Sequence, residues 1–237
     1  MTSFAGPNIF AGALVYSTPE GNTGWTALRM GEVGHATYHH WDAAKPNLLQ
    51  LDVYAADMID QDRALAAVNR FWSPSGVRAF LVHRPDPTAK FGCVTLRDDL
   101  AHRTGSKEGL GPGEHLHLLV DQTGTAQERF SSSGALDAAL ADLVAVLNMV
   151  GMTPVMSHTH RIVGGFSYDS IVGITTSHVA MRVRLVDGRM SLSLDAFSCK
   201  NIDPSSVFRW LDQMMPSPDA RRAILYNRHP KGEFHEL

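Results

Sequence analysis

Apolar positions along this chain recur mostly at strand-like spacing, with a few longer stretches at helical spacing. In the second half, Glu114-His115-Leu116-His117-Leu118-Leu119-Val120-Asp121 alternates and then turns apolar, the pattern of a strand entering a core. Ser131-Ser132-Ser133 offers N-caps to a helix over Ala135–Val150, whose Leu136, Leu140, Leu143, Val144 and Leu147 form one stripe before Gly151 ends it. Strands are predicted over Ser170–Ser177, Val179–Leu185 and Met190–Phe197, the last two joined by a tight Asp187-Gly188 turn. Asp203-Pro204 starts a helix carrying Val207, Phe208, Trp210 and Leu211, and Ala223–Tyr226 reads as a closing strand. The first half predicts strands near Ala27–Met30, His35–His39 and Leu48–Tyr54, a helix over Asp60–Phe71 and a strand over Val77–His83. It offers no counterpart of the Ala135–Val150 helix.

The later part of each half reads as a copy of the other. Leu51-Asp52-Val53-Tyr54 through Ile59-Asp60 aligns with Leu194-Asp195-Ala196-Phe197 through Ile202-Asp203 at an offset of 195 − 52 = 143. The same offset sets Gly34-His35 on Ser177-His178, His39 on Arg182, and Ala56 on Cys199. The expected architecture is therefore α+β: two similar halves, each a mainly antiparallel sheet with helices on one face, packed as an αββα sandwich. Residues 1–102 form the first half-repeat, the glycine-rich 103–113 the linker, and 114–237 the second.

Composition narrows the function classes. Of 237 residues, 44% are hydrophobic and 19% charged, and the formal net charge is −3, without the basic face of a nucleic-acid binder. No apolar run approaches the roughly 20 residues that span a bilayer, and the N-terminal residues lack the order of a signal peptide. Cys93 and Cys199 alone make no disulfide framework, which fits a reducing cytoplasm.

Thr175-Thr176-Ser177-His178-Val179, followed by Leu194-Asp195-Ala196-Phe197-Ser198-Cys199, resembles the S-adenosylmethionine decarboxylase family, whose bacterial members carry Glu-Ser-His and a strand ending Asp-x-Phe-Thr-Cys. Gly113-Glu114-His115-Leu116 is similar to the family's first strand, and His35-Ala36-Thr37-Tyr38-His39-His40-Trp41-Asp42 to its His-x-x-x-His-Thr-Trp-Pro-Glu segment. The resemblance implies a pyruvoyl group made by self-cleavage at Thr176/Ser177, with Ser177 as precursor and Cys199 as proton donor. It implies processing helpers in the opposing half: His39, and the hydroxyl thirteen residues earlier, Thr26 (39 − 13 = 26). It implies a substrate site involving Trp41, His178 and Asp42, the last one position early for the family's ribose-binding carboxylate. The implied product is the aminopropyl donor for spermidine synthesis, made by a monomer or homodimer that needs no metal, nucleic acid or membrane.

The losses in the two copies are complementary. Gly34 and Ala56 stand where Ser177 and Cys199 do, and Asp169 and Arg182 stand where Thr26 and His39 do, so one full set remains. Thr176 replaces the family's glutamate before the serine. Two rivals follow: the same chemistry on another amino acid, and a non-processing homologue that binds S-adenosylmethionine or regulates a partner. Taken singly, Ser177 is a structural hydroxyl, Cys199 a small buried apolar residue, and Trp25 and Trp41 are core filling as readily as adenine platforms. His35, His39, His40, His115, His117, His158 and His160 lack an acidic or cysteine partner at ligand spacing, so no metal site is expected.

Overall fold

The computed structural model describes residues 9–18, 23–32, 34–42, 47–55, 58–84, 92–98, 116–125, 130, 132–147, 154–161, 167–186, 189–199, 201–228 and 234–236. The 103–113 linker, the Asp187-Gly188 turn, Gly113-Glu114-His115, Ala56 and residues 148–150 of the predicted helix lie outside the described residues.

Each helix begins where its capping residue dictates. Asp60 accepts from the Arg63 backbone N–H at 3.0 Å and starts α1 (Gln61–Trp72). Ser132 accepts from Ala135 and starts α2 (Ser133–Val146). Asp203, with Pro204 in the first turn, starts α3 (Pro204–Met214).

The strands form three antiparallel groups. A four-stranded sheet runs β1 (Ile9–Ser17), β2 (Gly24–Gly31), β3 (Gly34–Trp41), β4 (Leu48–Ala55). A seven-stranded sheet is built from β7 (Leu116–Thr125), β8 (Pro154–Arg161), β9 (Ser167–Ile174), β10 (Ser177–Val186), β11 (Arg189–Ser198), β12 (Ser217–Asn227) and β13 (Phe234–Glu236), in the order β13-β12-β7-β11-β10-β9-β8. Strands β5 (Arg78–His83) and β6 (Gly92–Asp98) pair only with each other among the described residues. The repeat aligns β5 with β12, yet β12 lies beside β7 inside its sheet. A β7 equivalent is lacking among the described residues next to β4, so β5 takes β6 as its partner instead.

Cross-strand register carries the repeat further than the sequence does. Thr26 faces His39 across β2 and β3, and 143 residues later Asp169 faces Arg182 across β9 and β10. His35 faces Tyr54 as His178 faces Phe197.

The seven-stranded sheet is buried on both faces. Val179, Met181, Val183, Leu192, Leu194, Leu118 and Val120 pack under α2 and α3 with Leu140, Leu143, Val207 and Leu211, forming the dry core. The opposite face carries Ile171, Ala180 and Phe197 among His117, Asp121, Asp169, His178, Arg182 and Asp195, all of them buried. It meets the four-stranded sheet at Leu28 and Met30, and at Trp41. Gly173 permits that approach, because a Cβ there would lie 2.5 Å from the Leu28 side chain. By contrast α1 has no buried residue and touches β3 through a stack of Trp72 on Tyr38.

A candidate active site between the sheets

Strand β9 ends at Ile174, three positions short of the strand end expected from sequence, and a two-residue turn delivers Ser177 as the first residue of β10. The turn is strained: Thr176 has φ 63°, a left-handed conformation that β-branched residues rarely adopt. Such backbone costs about 1–3 kcal/mol and persists only where its surroundings enforce it. Here the Thr176 N–H donates to Thr26 Oγ1 at 3.1 Å, a contact between the two sheets.

Thr26 and His39 stand opposite each other on β2 and β3, with Thr26 Oγ1 3.2 Å from His39 Nδ1. His39 Nε2 lies 3.4 Å from His178 Nδ1, the two rings stacked with centroids 5.7 Å apart. Phe197 packs on both imidazoles, at 5.3 Å from His39 and 5.8 Å from His178. Ser177 Oγ accepts from the Cys199 backbone N–H at 3.3 Å and donates to Cys199 Sγ at 3.7 Å. Thr176 Oγ1 also lies 3.3 Å from that sulfur. Thr26, His39, Ser177 and Cys199, the four residues assigned catalytic roles from sequence, therefore converge on one buried locus. Exposure is 0% for the first three and 5% for Cys199.

The residues assigned to substrate divide. His178 belongs to the locus and is wholly buried. Trp41 is 2% exposed and packed against Phe197, with His39 5.8 Å away, so its rings fill the core. Asp42 is exposed at the end of β3 and pairs with His40 at 3.0 Å.

Beyond His178 lies a polar cluster that sequence reasoning did not assemble. The Asp195 carboxylate lies 3.4 Å from His178 Nε2, 3.6 Å from His35 Nε2 and 2.5 Å from His117 Nε2. Tyr226 Oη is 2.7 Å from His117 Nδ1, and Arg228 pairs with Asp52. Burial alone would raise the pKa of Asp195, but the imidazoles, His117 foremost, hold it well below the usual carboxylate range. Burial lowers the pKa of His178, outweighing Asp195. These partners sit up to 160 residues apart (195 − 35 = 160), so no local spacing could flag them.

The repeat-related position is closed. Gly34 replaces the serine there, and Arg182 forms a two-pronged ion pair with Asp169 where His39 and Thr26 would be. Tyr54 lies under the Arg182 guanidinium, 5.1 Å from its ring centre. What remains is a cavity of about 20 Å³ edged by Gly34, His35, Tyr54, Arg182 and Asp195. That is room for one water molecule. A larger hollow of about 490 Å³ lies over β1–β4, lined by Leu14, Leu28, Tyr38 and Leu51, and none of the four converging residues lines it.

Compared with models of known protein families and with curated proteins, the chain matches none. Among the described residues no helix is long and apolar enough to cross a membrane.

Proposed function

We propose that this chain is a pyruvoyl-dependent decarboxylase of the S-adenosylmethionine decarboxylase type, two half-repeats fused as an αββα sandwich with one competent site. The observation that carries this reading is the convergence of Ser177 and Cys199 from one sheet with Thr26 and His39 from the other. The shared cross-strand registers support the duplication, and the Arg182–Asp169 pair supports a single working site.

The strained backbone at Thr176 and its bond to Thr26 support a self-cleavage step. Ser177 Oγ attacks the Thr176 carbonyl carbon, the 176–177 C–N bond breaks, and the hydroxyl proton passes to the released amine. Loss of the Ser177 Cα proton then expels the Thr176 carboxylate, and water replaces the nitrogen as ammonia to leave a ketone. Thr26 holds the Thr176 amide in the strained turn, and His39 exchanges protons with Thr26. The pyruvoyl carbonyl so formed supplies the electron sink for loss of carbon dioxide from an amino acid. Cys199 Sγ lies 3.7 Å from Ser177 Oγ, close to the carbon that must be reprotonated.

S-adenosylmethionine is the proposed substrate, with the aminopropyl donor for spermidine synthesis as product. Burial of Trp41 removes one adenine platform, which favours testing ornithine and arginine beside it. Mass spectrometry under denaturing conditions tests the central step. Two fragments breaking at 176/177, the later blocked to Edman sequencing, are expected. A single 25.9 kDa chain after long incubation overturns the enzyme reading and leaves the non-processing binder.

A further inference from the structure

Asp195 differs from the other carboxylates buried between the sheets. Asp52 pairs with Arg228, Asp121 with Arg84 and Arg222, and Asp169 with Arg182. The ion-pair partners of Asp195 are instead three imidazoles, His35, His117 and His178. Of these, His117 Nε2 donates to Oδ1 at 2.5 Å and is turned by its second nitrogen toward Tyr226. The other two reach the carboxylate only at the long distances of 3.6 Å for His35 Nε2 and 3.4 Å for His178 Nε2, and neither buried nitrogen makes a hydrogen bond of normal geometry. The side chains of His178 and His35 are 0% and 8% exposed. A buried polar atom left without a partner costs about 1–3 kcal/mol. Two such atoms aimed at one carboxylate describe a ligand set.

We propose that His35 Nε2, His178 Nε2 and the Asp195 carboxylate bind one divalent transition-metal cation of the zinc type. The three ligand atoms lie within 4.8 Å of one another, and each nitrogen is 3.4–3.6 Å from a carboxylate oxygen. Zinc bonds nitrogen and oxygen at about 2.0–2.2 Å, which separates tetrahedral ligands by roughly 3.4 Å, so small side-chain adjustments suffice. Imidazole and carboxylate select zinc, cobalt or nickel over calcium and magnesium, which prefer all-oxygen sites. His117 and Tyr226 act as the supporting shell, fixing the carboxylate from behind as outer partners of metal sites do. The 20 Å³ cavity beside His35 and Asp195 has room for a water to complete the coordination.

The site also sets the proton order of the neighbouring chain. A cation on His178 Nε2 leaves its proton on Nδ1, which donates to His39 Nε2. The remaining His39 proton then lies on Nδ1 and donates to Thr26 Oγ1, which already accepts from the Thr176 N–H. One cation thus fixes the tautomers of both histidines between Asp195 and the 176–177 bond. The metal proposal stands on the ligand geometry and is independent of the decarboxylase reading.

The test uses the full chain, stripped with chelator and titrated with zinc or cobalt by calorimetry. His158 and His160, which stack with centroids 5.9 Å apart on β8, are replaced by alanine throughout to remove an alternative site. One equivalent should bind, with the intense visible bands of four-coordinate cobalt. His35→Ala and Asp195→Asn should each weaken binding at least about 100-fold, the upper range for loss of even an outer partner. Stoichiometry near zero, a six-coordinate cobalt spectrum, or unchanged affinity in a folded His35→Ala overturns the proposal. Should both variants fail to fold, the cobalt spectrum of the parent chain decides alone. Binding with no cleavage at Ser177 would sink the decarboxylase and leave the metal site standing.

Discussion

Arg182 grips Asp169 through both Nε and Nη2 in the cross-strand register that elsewhere sets His39 against Thr26. The same cross-strand register thus holds a salt bridge in one sheet and an imidazole–hydroxyl pair in the other. Gly34 completes the closure, because a Cβ on it would lie 1.9 Å from the Tyr54 carbonyl oxygen. Gly34→Ser should therefore fail to restore a second Ser–His site. It should lower the melting temperature by several degrees and produce no cleavage before residue 34. A new fragment there would show that the closed copy retains the chemistry.

Ser177→Ala should abolish cleavage while leaving circular dichroism and melting nearly unchanged, since the removed hydroxyl bonds only Cys199 among the described residues. Continued scission at the same bond would remove Ser177 from its assigned role.

Thr26→Ala and His39→Gln should slow self-cleavage by roughly 10²–10⁴-fold, the usual span for a positioned proton-transfer group. Thr26→Ser keeps the hydroxyl and should recover most of the rate, which separates proton handling from packing. Time courses on a gel read both effects.

Cys199→Ala should still self-cleave, yet release carbon dioxide from carboxyl-labelled substrate at least about 100-fold more slowly. Equal rates in cleaved protein would assign reprotonation to another group.

Asp121 supplies a stability prediction away from the candidate site. Burial pushes its pKa up, but the guanidinium of Arg84, with bonds from Ser193 and Arg222, brings it below the ordinary 3.8. A carboxylate depressed in the folded state stabilises above its unfolded value, and that contribution fades as the pH falls through 3.8 toward the folded value. Asp121→Asn should cost about 3–5 kcal/mol at neutral pH, since it strands two buried guanidinium groups. The loss should shrink below pH 3.8. Urea titrations at pH 7 and pH 3 measure the difference.

Much of this fold follows from periodicity. Strands β2 to β5, β7 and β9 to β11, and all three helices, lie close to where alternation, capping residues and turn signals put them, whereas β12 begins at Ser217, well before the predicted Ala223. Strands β1, β6, β8 and β13 were illegible for a shared reason: three of them are sheet edges, and the fourth, β6, belongs to a two-stranded ribbon. There a strand needs no clean apolar face, and Met156-Ser157-His158-Thr159-His160 in β8 shows none. The candidate site split along another line. Ser177, Cys199 and His39 were reachable through short local motifs, and Thr26 through its thirteen-residue spacing from His39. The grouping of Asp195 with His35, His117 and His178 depends on which sheet faces touch, and that is encoded in no spacing.

The Thr175-Thr176 turn sits at a topologically awkward place for a break. Severing it would leave the earlier piece owning β7, β8 and β9 and the later piece owning β10 to β13. Since β7 lies between β12 and β11, and β10 lies against β9, the pieces would be interwoven through three ladders. Such a nicked protein would persist as a tight heterodimer whose unfolding midpoint rises with concentration. Fragments produced separately would have to thread one strand between two others to meet, which makes cleavage after folding the only easy route to the two-chain form.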